Sequence, residues 1–174
     1  MPEKRIALVV NTEQYRYHKE VSELFRETIC SFYPSIQIEL FDMAKTQVLH
    51  EMYFALCDYD PQLLISFDCA GFTLQTENDA LSYNLFGCRM AHILFQEMER
   101  YRGELRQQMN FSMFVYSMRE RDVDAISARY PNIPNVSLME RLEYKELNEK
   151  TREKNREIIA GWYRMFEREA QLTE

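Results

Sequence analysis

Short apolar runs along the chain each end in a polar residue and then give way to a longer amphipathic stretch. Ile6 to Val10 runs into Asn11, Ile36 to Phe41 into Asp42, Leu63 to Phe67 into Asp68, Ile93 to Phe95 into Gln96 and Glu97, and Met113 to Tyr116 into Ser117. Strands alternating with helical patterns predict βαβ units, a mostly parallel sheet of five or six strands and helices on both faces. The expected fold is therefore a three-layer α/β/α sandwich, Rossmann-like, in one domain spanning 1–174, with strand order left open.

The spacing predicts strands over Arg5–Val10, Ile36–Phe41, Gln62–Phe67, Arg89–Phe95, Phe111–Tyr116 and, briefly, Val136–Leu138. The second alternates apolar and polar residues, as a strand near a sheet edge would; the third is almost wholly apolar and belongs in the centre. The first helix is expected from about Glu13 to Phe32, with Asn11 as its cap and Gln14 closing a box-like arrangement. Val21, Leu24, Phe25, Thr28, Ile29 and Phe32 form its inward stripe, and Pro34 ends it.

Further helices are expected over Lys45–Cys57, with Val48, Leu49, Met52, Tyr53 and Leu56 inward, over Glu99–Met109, and over Arg119–Tyr130. Ser117 and Glu120 supply a capping box for the last of these. Beyond Lys145 the chain reads as helix, with Leu147, Thr151, Ile158, Ile159, Trp162, Tyr163 and Phe166 on one stripe. That stripe packs back on the sheet or, as an alternative, forms a dimer or partner seam. From Cys69 to Gly87 neither period holds, which marks an irregular loop with a short helix around Asp79–Phe86.

Acidic residues outnumber basic ones, 28 to 21, over 174 residues. This balance speaks against nucleic acid and anionic membranes as partners, because both favour clustered Lys and Arg. No apolar run approaches the length that spans a bilayer, and Cys30, Cys57, Cys69 and Cys88 lack metal-ligand or CxxC spacing. Reduced thiols in the cytoplasm are the expectation, with Cys69 the one thiol to test for reactivity.

If the strands are parallel, Asn11, Asp42, Asp68, Glu97, Ser117 and Glu140 share one rim. Carboxylates there suit a divalent cation, a sugar hydroxyl or a general base, although strand ends are polar for purely structural reasons as well. The first turn, Asn11 to Tyr15, has no glycine, so an ordinary dinucleotide or P-loop site is not expected. His18, His50 and His92 show no metal-binding spacing, no GxSxG elbow is present, and no metal or cofactor is expected. Tyr15, Tyr17, Phe72, Tyr83, Phe86, Tyr101 and Tyr130 are read as peripheral core before they are read as a stacking platform.

The run Pro61–Asp68, the loop with Gly71, the strand Arg89–Phe95, and the segment from Phe114–Ser117 through Val123–Ile126 to Asn135–Val136 resemble the amino-terminal domain of spore-maturation-type GT-B glycosyltransferases. The likeness covers roughly Ile6 to Glu140. It implies a domain contributing mainly acceptor contacts, with the nucleotide-sugar donor held by a second such domain. The ligand-binding residues expected are Asn11, Thr12, Asp68, Gly71, Glu97 and Ser117. A sugar or glycan acceptor, a second GT-B domain and a homodimer through the terminal helix are the partners considered, and independent transfer activity is not expected.

Asp68 at the end of the third strand also resembles the phosphoacceptor of receiver domains. Asn11-Thr12-Glu13 replaces the acidic pair of that family, and Ser117 stands where its lysine is expected, so the electrostatic support for phosphoryl transfer is missing. A metal-assisted hydrolase using Asp42, Asp68 and Glu97 is a further alternative, as is an interaction domain that uses the terminal helix.

Overall fold

The computed structural model describes residues 4–45, 49–72, 87–107 and 112–171. The strands are β1 (Lys4–Val10), β2 (Ile36–Asp42), β3 (Leu63–Phe67), β4 (Arg89–Leu94), β5 (Met113–Ser117) and β6 (Val136–Leu138). All neighbouring strands pair in parallel, in the order β2-β1-β3-β4-β5-β6. This is the doubly wound, flavodoxin-type arrangement extended by β6, and it settles the order that the pattern left open. As expected, β2 is an edge and β3 is internal.

The helices are α1 (Tyr17–Phe32), α2 (Leu49–Tyr59), the short α3 (Arg102–Leu105), α4 (Glu120–Arg129) and α5 (Glu149–Gln171). Alternation along β1 divides the core: Ile6, Leu8 and Val10 pack towards α1 and α5, whereas Ala7 and Val9 face Met52 and Leu56 of α2, Leu105 of α3 and Ile126 of α4. Three layers follow from that period-two split.

Several boundaries differ from expectation, each for a local reason. Asn11 does cap, its Oδ1 accepting the Gln14 N–H at 3.0 Å, but it caps a turn, and α1 begins only at Tyr17. Phe32, expected to face inward, is 60% exposed at the last position of α1. Met43–Lys45 forms a 3-10 turn rather than the start of α2. The expected Glu99–Met109 helix is instead a 3-10 segment, Met98–Tyr101, joined to α3.

Ser117 is still strand, and its hydroxyl accepts the Arg119 N–H at 3.2 Å, so α4 starts at Glu120 without the expected box. The terminal helix starts at Glu149 rather than near Lys145, because Asn148 Oδ1 accepts the Thr151 N–H at 3.0 Å. The inward placements of Val48 and Leu49, the helix around Asp79–Phe86, and Tyr83 and Phe86 themselves lie outside the described residues or side chains. Met52 and Leu56 are buried as expected.

The apolar stripe of α5 is spent within the chain. Ile158, Ile159, Trp162, Tyr163 and Phe166 are buried, and the Tyr163 ring lies 4.8 Å from that of Tyr33. The Trp162 indole N–H donates to the Glu140 carbonyl at 3.0 Å, and the buried Asn155 donates to the carbonyl and accepts the N–H of Glu143. Near its end, Glu169 accepts from the Tyr116 hydroxyl and from Arg89, whose guanidinium also reaches the Phe166 carbonyl. Among the described residues, no helix is long and apolar enough to cross a membrane.

Candidate functional site

In a sheet of this order the chain runs from β1 outward to β2 and then returns across β1 to β3, so the loops leaving β1 and β3 diverge and leave a crevice between their carboxyl ends. Asn11 leaves β1 there, and Asp68 leaves β3. The backbone of Asp68 has φ 49° and that of Cys69 φ 58°, followed by Gly71 at 78°. Left-handed conformations cost a non-glycine residue about 1–2 kcal/mol, so other interactions must hold the turn.

Asp68 itself supplies them. It is 4% exposed. Its Oδ1 accepts the Phe95 N–H at 2.9 Å and the Tyr101 hydroxyl, while Oδ2 accepts the Tyr17 hydroxyl and lies 2.9 Å from Nε2 of His18. Ser66 adds a bond from its hydroxyl to the Ala70 carbonyl at 2.8 Å, and the Asp68 N–H donates to Ile93. Burial first, and then the Asp68 carboxylate, push the phenols of Tyr17 and Tyr101 well up, so both stay protonated and donating.

The other nitrogen of His18, Nδ1, accepts the Asn11 N–H at 3.0 Å. This contact explains why α1 starts late: the ring must sit beneath the β1 exit, and the intervening loop, with Tyr15 N–H on the Asn11 carbonyl, has to turn over it. By its spacing in the chain His18 is an ordinary structural histidine. Only the register of β1 against β3 brings it to Asp68, 50 residues away in the chain.

At the β2 side, Asp42 accepts the Thr12 N–H at 3.1 Å, the Thr12 hydroxyl at 2.6 Å and the Ala44 N–H at 3.1 Å. Burial alone would raise its pKa, but the Thr12 hydroxyl and these N–H groups outweigh that and hold it low. A carboxylate held low contributes stability above its unfolded value, lost as pH falls through the folded one. Replacing Thr12 with valine removes the hydroxyl donor. The Asp42 carboxyl is then expected to titrate at higher pH, with acid unfolding beginning earlier, as followed by carboxyl carbon NMR.

The remaining rim residues part company. Glu97 is exposed and paired with Arg119 at 2.8 Å and Arg121 at 2.6 Å, which hold its carboxyl low. Ser117 is fully buried, and Gly71 is buried too. Glu140 is exposed, and its carbonyl accepts the Trp162 indole N–H. Asn11, Thr12, Tyr15 and Gln96 are half-buried. Gln96 donates to the Tyr17 oxygen at 3.0 Å, and Gln14 donates to the Tyr15 hydroxyl at 3.2 Å.

Cys69 is buried, and desolvation followed by the charges of Glu104 and Asp68 raises its thiol well above the ordinary range, the opposite of what a reactive thiolate needs. His92 lies in β4 against the Phe72 ring at 4.7 Å, and burial lowers its pKa to about 3. Tyr101, Phe72 and Tyr130 are core, as expected, and Tyr17 packs against it. Among the described residues, no three His, Cys, Asp or Glu side chains gather where they could hold a metal ion.

The central carboxylate, Asp68, is buried and fully engaged, while the half-buried Asn11, Thr12, Tyr15 and Gln96 offer amide and hydroxyl groups near the strand ends. No family model matches the chain, and no curated protein matches it.

Proposed function

We propose that the protein is a binding module of the acceptor-side, amino-terminal glycosyltransferase type, holding a neutral, sugar-like ligand on the rim formed by Asn11, Thr12, Tyr15 and Gln96. The observation that carries this reading is the commitment of Asp68 to four donors at the point where the strand order reverses. A carboxylate with its lone pairs so engaged is a poor general base, phosphoacceptor or metal ligand. Amide, hydroxyl and aromatic groups around it suit polyhydroxyl recognition, in which a few polar groups orient a ligand on an apolar wall.

Of the residues named from the sequence, Asn11 and Thr12 would touch the ligand. Asp68 and Gly71 would shape the floor, and Glu97 and Ser117 would act through Arg119. Transfer would require a second, donor-binding domain of the same general type as partner. The four cysteines are free thiols, which suits the cytoplasm as the place of action.

Calorimetry with uncharged mono- and oligosaccharides, alongside nucleotides, tests the reading. Binding by a saccharide that weakens in a Gln96→Ala variant, without nucleotide binding, is expected. Saccharides giving no heat at millimolar concentration would remove it.

A further inference from the structure

The hydrogen bonds of His18 fix its protonation chemistry. A backbone N–H can only donate, so Nδ1, 3.0 Å from Asn11 N, carries a lone pair. The ring proton is therefore on Nε2, donated to Asp68 Oδ2 at 2.9 Å. A second proton has only Nδ1 to occupy, and there it would face the Asn11 N–H, donor against donor.

We infer that His18 is a pH-operated latch on the rim: neutral, it bonds the Asn11 N–H and ties the exit of β1 to Asp68; protonated, it stays with Asp68 and gives up the Asn11 N–H, while Thr12 keeps its bonds to Asp42. The direction follows from what surrounds the ring. On its Nε2 side stands the Asp68 carboxylate from the end of β3, which gains from a cation. Tyr17 of α1 and Tyr101 of the 3-10 segment share that carboxylate, and both are neutral phenols.

Tyr15 of the loop packs on the ring at 4.7 Å, its hydroxyl pushed up to about 12 by burial and then by Asp68, with Glu104 and Arg100 acting on it from farther off. Tyr144, from the segment before α5, reaches the site through the Tyr17 ring at 4.6 Å. Cys69 beside Asp68 is a neutral thiol. Protonation therefore strengthens one of the two His18 bonds and breaks the other, and the bond that is lost is the one to the Asn11 N–H, next to Thr12.

The effect on ligand rests on the reading of the rim given above; the latch itself belongs to the free protein. Nitrogen-15 NMR of the unliganded chain is expected to show a pyrrole-type Nε2 and a pyridine-type Nδ1 in the neutral ring, with a coupling from the Asn11 amide across the hydrogen bond to Nδ1. On acidification that coupling should vanish as His18 protonates, while the Asn11 and Thr12 amides shift together.

A neutral ring carrying its proton on Nδ1, Asn11 and Thr12 amides unmoved as His18 protonates, or acid unfolding with His18 still neutral would each overturn the latch. A His18→Asn variant keeps an acceptor for the Asn11 N–H without a titrating group, so its amides should no longer respond; a response that persists would also overturn it. Saccharide affinity is expected to fall about tenfold between the two states, the equivalent of one hydrogen bond's worth of free energy. If the amides respond but no saccharide binds at either pH, the latch stands and the binding reading falls.

Discussion

Replacing Asp68 with asparagine is expected to destabilise the protein by about 3 kcal/mol, and replacing it with alanine by about 5 kcal/mol, a large share of the 5–15 kcal/mol typical of a domain. The alanine variant leaves the hydroxyls of Tyr17 and Tyr101, the ring N–H of His18 and the Phe95 N–H without their acceptor in the interior. It also places alanine at φ 49°, a conformation that aspartate and asparagine tolerate better. Asparagine keeps that backbone and one oxygen, but turns an N–H group towards two donors, so its smaller cost reflects partial loss of acceptance, and the further cost of alanine combines backbone strain with the remaining lost acceptance.

Urea unfolding monitored by circular dichroism gives both values. A reactive carboxylate predicts the opposite sign, because removing a functional charge commonly stabilises its scaffold.

The second large effect concerns α5. Trp162 is 2% exposed, bound through its indole N–H to Glu140 and close to the Phe95 ring at 6.3 Å. Truncating a buried tryptophan costs about 3–5 kcal/mol, and an unpaired carboxylate in its place costs more. Trp162→Glu is therefore expected to abolish cooperative folding. If the helix were an intermolecular seam, the same change would instead give a well-folded monomer. Circular dichroism melts combined with light scattering distinguish an unfolded or aggregated chain from a folded one of reduced mass.

What could be read in the chain beforehand depended on how local the determining forces were. The β1 run Ile6–Val10, the alternation of β2 and the stripe of α5 from Ile158 to Phe166 are consequences of period and burial and match expectation, whereas Leu147 lies ahead of the helix and it and Thr151 are only half-buried. The helix starts do not match expectation, because particular side-chain bonds just ahead of each helix, and the contact of Thr12 with β2, set them. The Asn11 N–H is claimed by His18 and Thr12 by Asp42, so a good capping pair ends up closing a turn. Ser117 likewise stays in β5, paired in register with Leu94 and Leu138, rather than capping α4.

The end of β3 was identified from the run Leu63–Phe67 and the irregular stretch after it, but the state of Asp68 was invisible. Its donors come from α1, from the backbone after β4 and from the 3-10 segment, and no spacing in the chain announces that they meet. Tyr17 and Tyr101 looked like peripheral aromatics for the same reason, and only the hydroxyl geometry separates them from Tyr130.

A crystal structure of the protein soaked with a saccharide that binds in calorimetry tests the central claim most directly. The account predicts sugar density against Asn11, Thr12 and Gln96, with Tyr17, His18 and Tyr101 still donating to Asp68 beneath it. Density reaching the Asp68 carboxylate itself, with Tyr17 turned away, would contradict it.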